Sequence, residues 1–383
     1  MPLVCIDCRY VGARPSGIGE LVQALVDHVP TLAPELDFLL LRNPLAPGPL
    51  SAAANVREVV VRQAANGPAT MWWLPHAVNL ARVDLFHATF NIMPAGLSMP
   101  CITTVHDVMR LTNPAWCGAG PLEPLERIFY AHGIRRALRG SAAIATVSEA
   151  SRAAIAAYAP AAGERTHVTF PGVAEAFHPV EPDRLRLAAL GADPARRFVL
   201  TVGQYAPYKN HEGALRAFAL ALGGKPEFDL ILVQRMGRDG RRLLELARDL
   251  GVGGRVRLLP AIARDDLVQL YSAADVLLHP SFCEGFGMPP AEAMACGCPV
   301  VTSDLSSMPE VAGGAALLAD PHDPAALADA LRRVVEHPAL AATMRRRGLA
   351  RAAALSWRAF AEANVALYRA VISAGVRSSS RAI

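Results

Sequence analysis

The chain has 383 residues, a formal net charge of +4, 52% hydrophobic residues and 19% charged residues. This length indicates two or three compact domains, and the apolar content excludes an intrinsically disordered chain. No signal peptide and no membrane-spanning run is recognisable, and seven scattered cysteines indicate a reducing compartment, so we expect a soluble cytoplasmic protein.

Short apolar runs alternate with longer helical patterns through the first part of the chain, which predicts a doubly wound parallel sheet. The helical patterns cover residues 17 to 29 and 123 to 139. We place the first domain at residues 1–172. The predicted strands are LVCID at 3 to 7, FLLL at 38 to 41, DLFH at 84 to 87, CITTV at 101 to 105 and AAIATV at 142 to 147.

A proline-rich segment, FPGVAEAFHPVEP, interrupts both the strand pattern and the helical pattern, and it predicts a linker at residues 173–182. The alternation then restarts and predicts a second doubly wound domain at 183–355. Two such Rossmann-like domains are expected to face each other across a ligand-binding cleft. The amphipathic segment 356–383 is expected to pack back on the N-terminal domain. The strands of the second domain are predicted at 198 to 202, 230 to 233, 256 to 259 and 275 to 279.

A glycine loop, PSGIGE at 15 to 20, follows the first predicted strand and opens a helix. Gly17 and Gly19 are therefore candidates for binding a phosphate, with an ordinary tight turn as the alternative. The third glycine of a dinucleotide fingerprint would stand at Val22, so the sequence disfavours a dehydrogenase.

Two polar residues, His106 and Asp107, follow the strand CITTV at its carboxyl end. Polar groups there are costly unless they bind something, although a hydrogen-bonded core histidine is the competing interpretation. The segment SEAS begins at Ser148, which we predict to be a helix N-cap.

The most informative segment is HPSFCEGFGMPPAEAMACGCP at 279 to 299. It predicts a strand end, a glycine-rich loop, and a helix that begins near Pro289 and Pro290. The amides of Gly285 to Met288 would then form an anion site at the helix N-terminus. Glu284 lies on this loop and Glu292 lies in the helix, so the two carboxylates are predicted to serve different parts of one extended ligand.

This segment resembles the E-x7-E signature of retaining nucleotide-sugar glycosyltransferases of family 4, which have the GT-B fold. The resemblance covers roughly residues 140 to 365, and TVHDV is similar to the strand-end His-Asp of the mannosyl- and rhamnosyl-transferring branch. It implies that Glu284 contacts the transferred sugar, that Glu292 binds the ribose, and that His106 and Asp107 contact the sugar or stabilise the transition state.

The segment GQYAPYKN at 203 to 210 resembles the phosphate-binding element of the same family. A lysine at a sheet edge also suits a departing diphosphate on chemical grounds. Gln204 stands where relatives often carry arginine, so Arg235 or Arg238 is expected to replace that contact. By resemblance, the residues predicted to bind the donor are Gly17, Gly19, Gly203, Gln204, Lys209, Ile262, Gly285, Phe286, Gly287, Met288 and Glu292.

The expected reaction is a hexose transfer that needs neither a metal nor another cofactor, because the chain contains no D-x-D pair. The resemblance implies retention of the anomeric configuration, with mannose from GDP-mannose as the leading donor and a UDP- or dTDP-sugar as the alternative. A sugar-nucleotide epimerase or phosphorylase and a non-catalytic sugar-nucleotide-binding subunit remain open. The acceptor is expected to be a saccharide or lipid-linked saccharide.

A basic and aromatic segment at 122 to 139 predicts peripheral contact with an anionic membrane, with an ordinary solvated helix as the alternative. No nucleic-acid partner is expected.

Overall fold

The protein is described by a computed structural model that covers residues 1–12, 16–117, 123–233 and 239–380. Two compact units are present: unit 1 comprises residues 1–172 and 356–383, and unit 2 comprises residues 173–355. The segment 173–182, predicted as a linker, belongs to unit 2. Arg235 and Arg238 lie outside the described residues.

Unit 1 is built on a parallel sheet whose strand order, within the described residues, is β3-β2-β1-β4-β5-β6-β7. Its central strands are buried on both faces, as strands covered by helices must be. The strands are β1 Leu3–Asp7, β2 Asp37–Arg42, β3 Val56–Val60, β4 Leu85–Ala88, β5 Cys101–Thr104, β6 Ala143–Thr146 and β7 Thr166–Val168.

Helices cover the sheet of unit 1, and the last helix of the chain returns to pack on its first helix. Numbered in chain order, these helices are α1 Gly17–Leu32, α2 Pro68–Ala77, α3 Met109–Thr112, α4 Glu123–Gly140, α5 Glu149–Tyr158, α6 Pro160–Gly163 and α15 Trp357–Ser380, and a 3₁₀ helix spans Pro114–Trp116.

The helix starts of unit 1 follow local capping chemistry. The Ser16 hydroxyl accepts a hydrogen bond from the amide of Gly19, so that α1 begins at Gly17. Ser148 caps α5 by accepting from the amide of Ser151, which confirms the predicted N-cap. A buried contact ties α15 to the sheet, because the hydroxyl of Tyr368 lies 2.7 Å from Nδ1 of His87.

Unit 2 repeats the architecture with a parallel sheet whose order among its described strands is β10-β9-β8-β11-β12-β13. Its core contains Phe218, Phe228 and Leu331, which are buried between the sheet and its helices. The strands are β8 Arg197–Val202, β9 Phe228–Val233, β10 Val256–Leu259, β11 Val276–His279, β12 Val300–Ser303 and β13 Leu317–Ala319.

The helices of unit 2 lie before the first strand, between successive strands and after the last strand. They are α7 Arg184–Ala189, α8 His211–Leu222, α9 Asp239–Asp249, α10 Arg264–Ala273, α11 Met288–Ala295, α12 Met308–Ala312, α13 Pro324–Glu336 and α14 Pro338–Ala353, and two 3₁₀ helices span Pro207–Lys209 and Gly253–Arg255.

The predicted fold class is confirmed: both units are doubly wound α/β structures with parallel sheets. Helix α1 runs three residues past its predicted end and contains Pro30 in its interior. Across the described residues, none of the helices combines the length and the apolar character needed to cross a bilayer.

Candidate active site

Three neighbouring parallel strands of unit 2, β8, β11 and β12, end at the same edge of the sheet. Gly203 follows β8, Pro280 follows β11, and Asp304 follows β12. In a doubly wound sheet, the carboxyl ends of the strands are where ligands bind. Several polar side chains from these segments contact one another.

The central contact is a buried ion pair between Lys209 and Glu284. The Nζ atom of Lys209 lies 2.6 Å from Oε1 of Glu284, and both side chains are about nine-tenths buried. Burial alone would raise the pKa of Glu284, but the charge of Lys209 and a hydrogen bond from His279 outweigh it and lower that pKa to about 2. Burial also disfavours the charged form of Lys209, but the negative charge of Glu284 outweighs burial and raises the pKa of Lys209. Both groups are therefore ionised at neutral pH.

Two further groups reach the same carboxylate oxygen. The Ser281 hydroxyl lies 2.8 Å from Oε1 of Glu284, and Nε2 of His279 lies 3.1 Å from it. Both side chains are buried, and burial lowers the pKa of His279. Because Nε2 faces a carboxylate, this nitrogen carries the ring proton and donates.

The loop that carries Glu284 is fixed by two serines that follow β12. The Ser306 hydroxyl accepts from the amide of Glu284 and donates to its carbonyl oxygen, at 3.1 and 2.8 Å. The Ser307 hydroxyl donates to the carbonyl of Phe286 at 2.6 Å. Ser306 adopts a left-handed φ of 56°, an unfavourable conformation for a residue with a side chain. This strain is tolerated where the hydroxyl holds the loop.

Gly287 permits the turn from this loop into α11. Its φ is +104°, and a Cβ atom there would lie 2.2 Å from Cε of Met308. Helix α11 begins at Met288, and Pro289 and Pro290 occupy its first turn, where a missing amide costs least. Gly285 is partly exposed, whereas Phe286 is buried.

Glu292 lies one turn into α11 and is 8% exposed. The hydroxyl of Tyr271, from α10, donates to Oε2 of Glu292 at 3.0 Å. Burial, followed by the nearby carboxylate, raises the pKa of Tyr271 well above its ordinary value, so the phenol keeps its proton and remains a donor. The orientation of Glu292 is thus set by a neighbouring helix.

The remaining candidates in unit 2 lie at the same edge of the sheet. Gly203 has a φ of +152°, which favours glycine, and a Cβ at this position would make an ordinary contact of 3.5 Å with Cδ of Lys209. Gln204 is exposed, and its amide nitrogen lies 3.4 Å from the hydroxyl of Tyr208. Ile262 is partly exposed between β10 and α10.

The candidates in unit 1 follow β1 and β5. Gly17 is exposed at the start of α1, whereas Gly19 is buried, and a Cβ on Gly19 would lie 2.9 Å from the carbonyl oxygen of Tyr10. His106 donates from Nε2 to the carbonyl of Thr89 at 3.1 Å, and burial lowers its pKa to about 4. Asp107 accepts the amide of Met109 at 2.9 Å, so it also caps the turn into α3.

Sequence reasoning missed five residues that shape this site: Tyr271, His279, Ser281, Ser306 and Ser307. His279 and Ser281 lie inside the signature segment, but their spacing alone does not indicate which residue they contact. The other three lie 13 or more residues from Glu284, so only the fold brings them to Glu284 and Glu292. In the part of the chain that the structure describes, no three His, Cys, Asp or Glu side chains are grouped to hold a metal ion.

Curated relatives match most of the chain. Residues 186–351, all within unit 2, match the family described as Glycosyl transferases group 1. O-antigen chain mannosyltransferase B of Escherichia coli is 31% identical over 282 residues, which cover 71% of each protein. D-inositol 3-phosphate glycosyltransferase 1 of Catenulispora acidiphila is 30% identical over 292 residues, which cover 72% of this chain and 68% of the relative.

Solved structures share the fold over nearly the whole chain. Sucrose-phosphate synthase from Thermosynechococcus elongatus matches with a TM-score of 0.73 at 22% identity, covering 98% of this chain and 100% of the other. WaaG, a glycosyltransferase involved in lipopolysaccharide biosynthesis, matches with a TM-score of 0.72 at 20% identity, covering 95% and 99%. Anabaena Alr3699/HepE in complex with UDP-glucose matches with a TM-score of 0.68 at 19% identity, covering 96% and 99%. The chain therefore belongs to the group 1 glycosyltransferase family and is a glycosyltransferase with the GT-B fold.

Proposed function

We propose that this enzyme transfers a hexose from a nucleotide diphosphate sugar to a saccharide or lipid-linked saccharide, with retention of the anomeric configuration and without a metal ion. The leading donor is GDP-mannose. The relative from Escherichia coli named as a mannosyltransferase supports mannose, whereas the UDP-glucose complex of HepE keeps a UDP-sugar as the alternative.

The observation that carries this proposal is the buried Lys209–Glu284 pair beside the N-terminus of α11. A lysine, a carboxylate and the free amides at a helix start suit a ligand that joins a diphosphate to a sugar. In this arrangement, Lys209 and the amides of Gly285 to Met288 bind the diphosphate, Glu284 accepts a sugar hydroxyl, and Glu292 accepts the ribose hydroxyls. The sequence resemblance adds Gly203, Gln204, Gly17 and Gly19 to the proposed phosphate contacts and Ile262 to the proposed base contact.

The sequence resemblance supports the following chemistry. The bond between the anomeric carbon and the phosphate oxygen breaks, and the acceptor oxygen bonds to the same carbon from the same face. The acceptor proton passes to the departing phosphate. Lys209 and the fixed amides stabilise the negative charge that develops on the diphosphate, and each such donor contributes a few kcal/mol. No step requires Glu284 to act as a nucleophile.

In unit 1, we propose that His106 and Asp107 contact the donor sugar or stabilise the transition state. Since Nε2 of His106 donates to the carbonyl of Thr89, the neutral ring presents Nδ1 as a hydrogen-bond acceptor. One carboxylate oxygen of Asp107 accepts a hydrogen bond from the amide of Met109. These roles rest on the sequence resemblance and on the position of both residues after β5.

A thermal-shift panel of GDP-, UDP-, dTDP- and ADP-sugars tests the donor, because a ligand that binds the folded state stabilises it by mass action. We expect GDP-mannose to give the largest shift. The Glu284→Ala variant should lose transfer to a saccharide acceptor, measured as release of the nucleotide diphosphate. Substantial turnover by this variant would refute the role of Glu284, and binding without turnover on any acceptor would instead indicate a non-catalytic subunit.

A surface on unit 1 supports the proposal of membrane contact. We call it the Trp-Arg face and define it as Trp72 and Trp73 of α2 together with Leu125, Arg127, Ile128, Arg135, Arg136 and Arg139 of α4. Trp73, Leu125 and Ile128 are 58%, 66% and 67% exposed. Trp72 contacts Phe129, with ring centroids 5.9 Å apart, which joins the two helices.

The charge of this face suits an anionic lipid surface. A cavity of about 690 Å³ beside α4 is lined by four of its arginines, 127, 135, 136 and 139. Arg127, Arg136 and Arg139 form no ion pair with any described residue. Exposed tryptophans and aliphatic residues next to unpaired guanidinium groups are typical of proteins that lie on anionic membranes.

A further inference from the structure

The two oxygens of the Glu284 carboxylate are used differently. Oε1 receives three donors: Nζ of Lys209 at 2.6 Å, the hydroxyl of Ser281 at 2.8 Å and Nε2 of His279 at 3.1 Å. Oε2 makes no hydrogen bond to any residue that the structure describes. One oxygen is therefore saturated by the protein, and the other remains able to accept.

His279 and Ser281 are held independently of the loop that carries Glu284. His279 is the last residue of β11, and its carbonyl accepts the hydroxyl of Thr302 in the neighbouring strand at 2.8 Å. Ser281 follows two residues later, and its hydroxyl also lies 3.1 Å from Nε2 of His279. Both side chains are buried, so neither has freedom to turn away.

Lys209 alone does not give the carboxylate a fixed orientation. Its ammonium group sits on a flexible stem and has no directional preference of the kind that planar groups have. In the proposed reaction it also binds the diphosphate, so its contact with Glu284 competes with that ligand. The donors of Ser281 and His279 are uncharged, rigidly placed and not needed by the diphosphate.

We infer that Ser281 and His279 are positioning residues that hold Oε1 of Glu284, so that Oε2 is presented to a hydroxyl of the transferred sugar. This inference rests on the proposed function, in which Glu284 contacts that sugar. It assigns the two residues to recognition of the sugar and not of the nucleotide, and this distinction is measurable.

The test is calorimetric binding of two ligands, GDP-mannose and GDP, with UDP-glucose and UDP as a second pair. For the nucleotide sugar that the wild type binds, we expect Ser281→Ala and His279→Leu to raise Kd about tenfold, the scale of one lost charge-assisted hydrogen bond. Kd for the sugar-free nucleotide should stay within about twofold. Conservative changes that keep a donor, Ser281→Thr and His279→Gln, should restore most of the affinity.

A matched control comes from unit 1, where His87 is also a buried strand histidine hydrogen-bonded to a hydroxyl, that of Thr104 at 2.8 Å. His87→Leu should lower the melting temperature and leave both dissociation constants unchanged. If Ser281→Ala or His279→Leu weakened the binding of nucleotide and of nucleotide sugar equally, the role of Ser281 and His279 would be structural and the inference would be wrong.

Glu284→Gln separates this inference from the proposed function. If Glu284→Gln weakens binding of the nucleotide sugar while Ser281→Ala and His279→Leu do not, the inference alone is overturned. If Glu284→Gln has no effect on the nucleotide sugar, or if the wild type binds neither pair of ligands, the proposed role of Glu284 fails and the inference fails with it.

Discussion

Lys209 and Glu284 form a nearly buried ion pair with an N–O distance of 2.6 Å, although 75 residues separate them in the sequence. Such a pair is costly to break, because removing one partner leaves the other charged and buried. The pair therefore affects stability as well as the proposed chemistry.

Lys209→Met should lower the free energy of unfolding by about 3 kcal/mol, since Glu284 would keep only uncharged donors. Adding Glu284→Gln should recover part of this loss, because the uncompensated charge is then removed. Urea unfolding of the single and double variants measures both effects. The exposed pair of Lys225 and Glu336 is the control, and Lys225→Met should change stability little. Equal losses for the two lysines would contradict the prediction.

Tyr271→Phe should weaken the binding of GDP and of GDP-mannose to the same extent, by about fivefold. The reason is that both ligands carry the ribose assigned to Glu292. The change removes only the hydroxyl that donates to Glu292. Calorimetric titration with each ligand checks the prediction. Tyr368→Phe, at a buried tyrosine of unit 1, should leave both affinities unchanged. A loss confined to GDP-mannose would assign Glu292 to the sugar instead.

Acid should destabilise the protein below pH 6.5. Burial lowers the pKa of His87 to about 3 and that of His106 to about 4, from an ordinary value of 6.5. Between pH 6.5 and 4 the unfolded chain therefore binds protons that the folded chain does not, so the free energy of unfolding falls as pH falls. The expected slope is about 1.4 kcal/mol per pH unit for each such histidine.

Urea midpoints of the wild type and of His87→Gln between pH 7.5 and 4 measure this slope. The variant should show a shallower dependence on pH, because one proton-binding group is missing from its unfolded state. The same change at His76, whose side chain is exposed, serves as the control. Parallel curves for the wild type and His87→Gln would show that His87 does not contribute.

Gly172→Ala should destabilise unit 1 by more than about 2 kcal/mol, as overpacking of a close contact does. A Cβ atom there would lie 2.2 Å from the backbone nitrogen of Trp357, where α15 begins, and backbone atoms cannot move aside. Gly224→Ala is the matched control, since a Cβ at Gly224 meets no atom within 4 Å. Thermal unfolding compares the two variants, and similar melting temperatures would contradict this packing.

Charge and exposed apolar groups on the Trp-Arg face should direct the protein to vesicles rich in phosphatidylglycerol but not to pure phosphatidylcholine. The double variant Trp73→Ser with Ile128→Ser should bind these vesicles at least about tenfold more weakly. Leu185→Ser removes an even more exposed leucine, 84% exposed, from unit 2 and should have no effect. Co-sedimentation measures the binding, and a wild type that stays in the supernatant would refute membrane contact.

Much of the fold could be predicted from the sequence, because buried parallel strands appear as short apolar runs. The strand Leu3–Asp7 lies at its predicted bounds. Two of the strands that escaped prediction lack this signal. Val56–Val60 is a partly exposed edge strand that includes Arg57 and Glu58, and Thr166–Val168 spans only three residues. Val300–Ser303 follows directly on the signature segment, so its short apolar run was not recognised as a separate strand.

The candidate site was predictable only where one segment carries it. Glu284, Glu292 and Gly287 stand close together in the chain, and local turn and helix rules are enough to select them. The partners of these residues, Tyr271 and Ser306 among them, come from other elements and are ordinary polar residues by themselves. The roles assigned to the predicted residues stay predictions until the variants are measured.

The hydrogen bond between His87 and Tyr368 joins residues 281 positions apart, and it belongs to a unit whose last helix follows unit 2 in the chain. Unit 2, in contrast, is continuous from Val173 to Leu355. During synthesis, unit 2 can complete its native contacts before α15 has emerged from the ribosome, whereas unit 1 cannot. Unit 1 therefore cannot complete its native contacts until all of unit 2 has been synthesised.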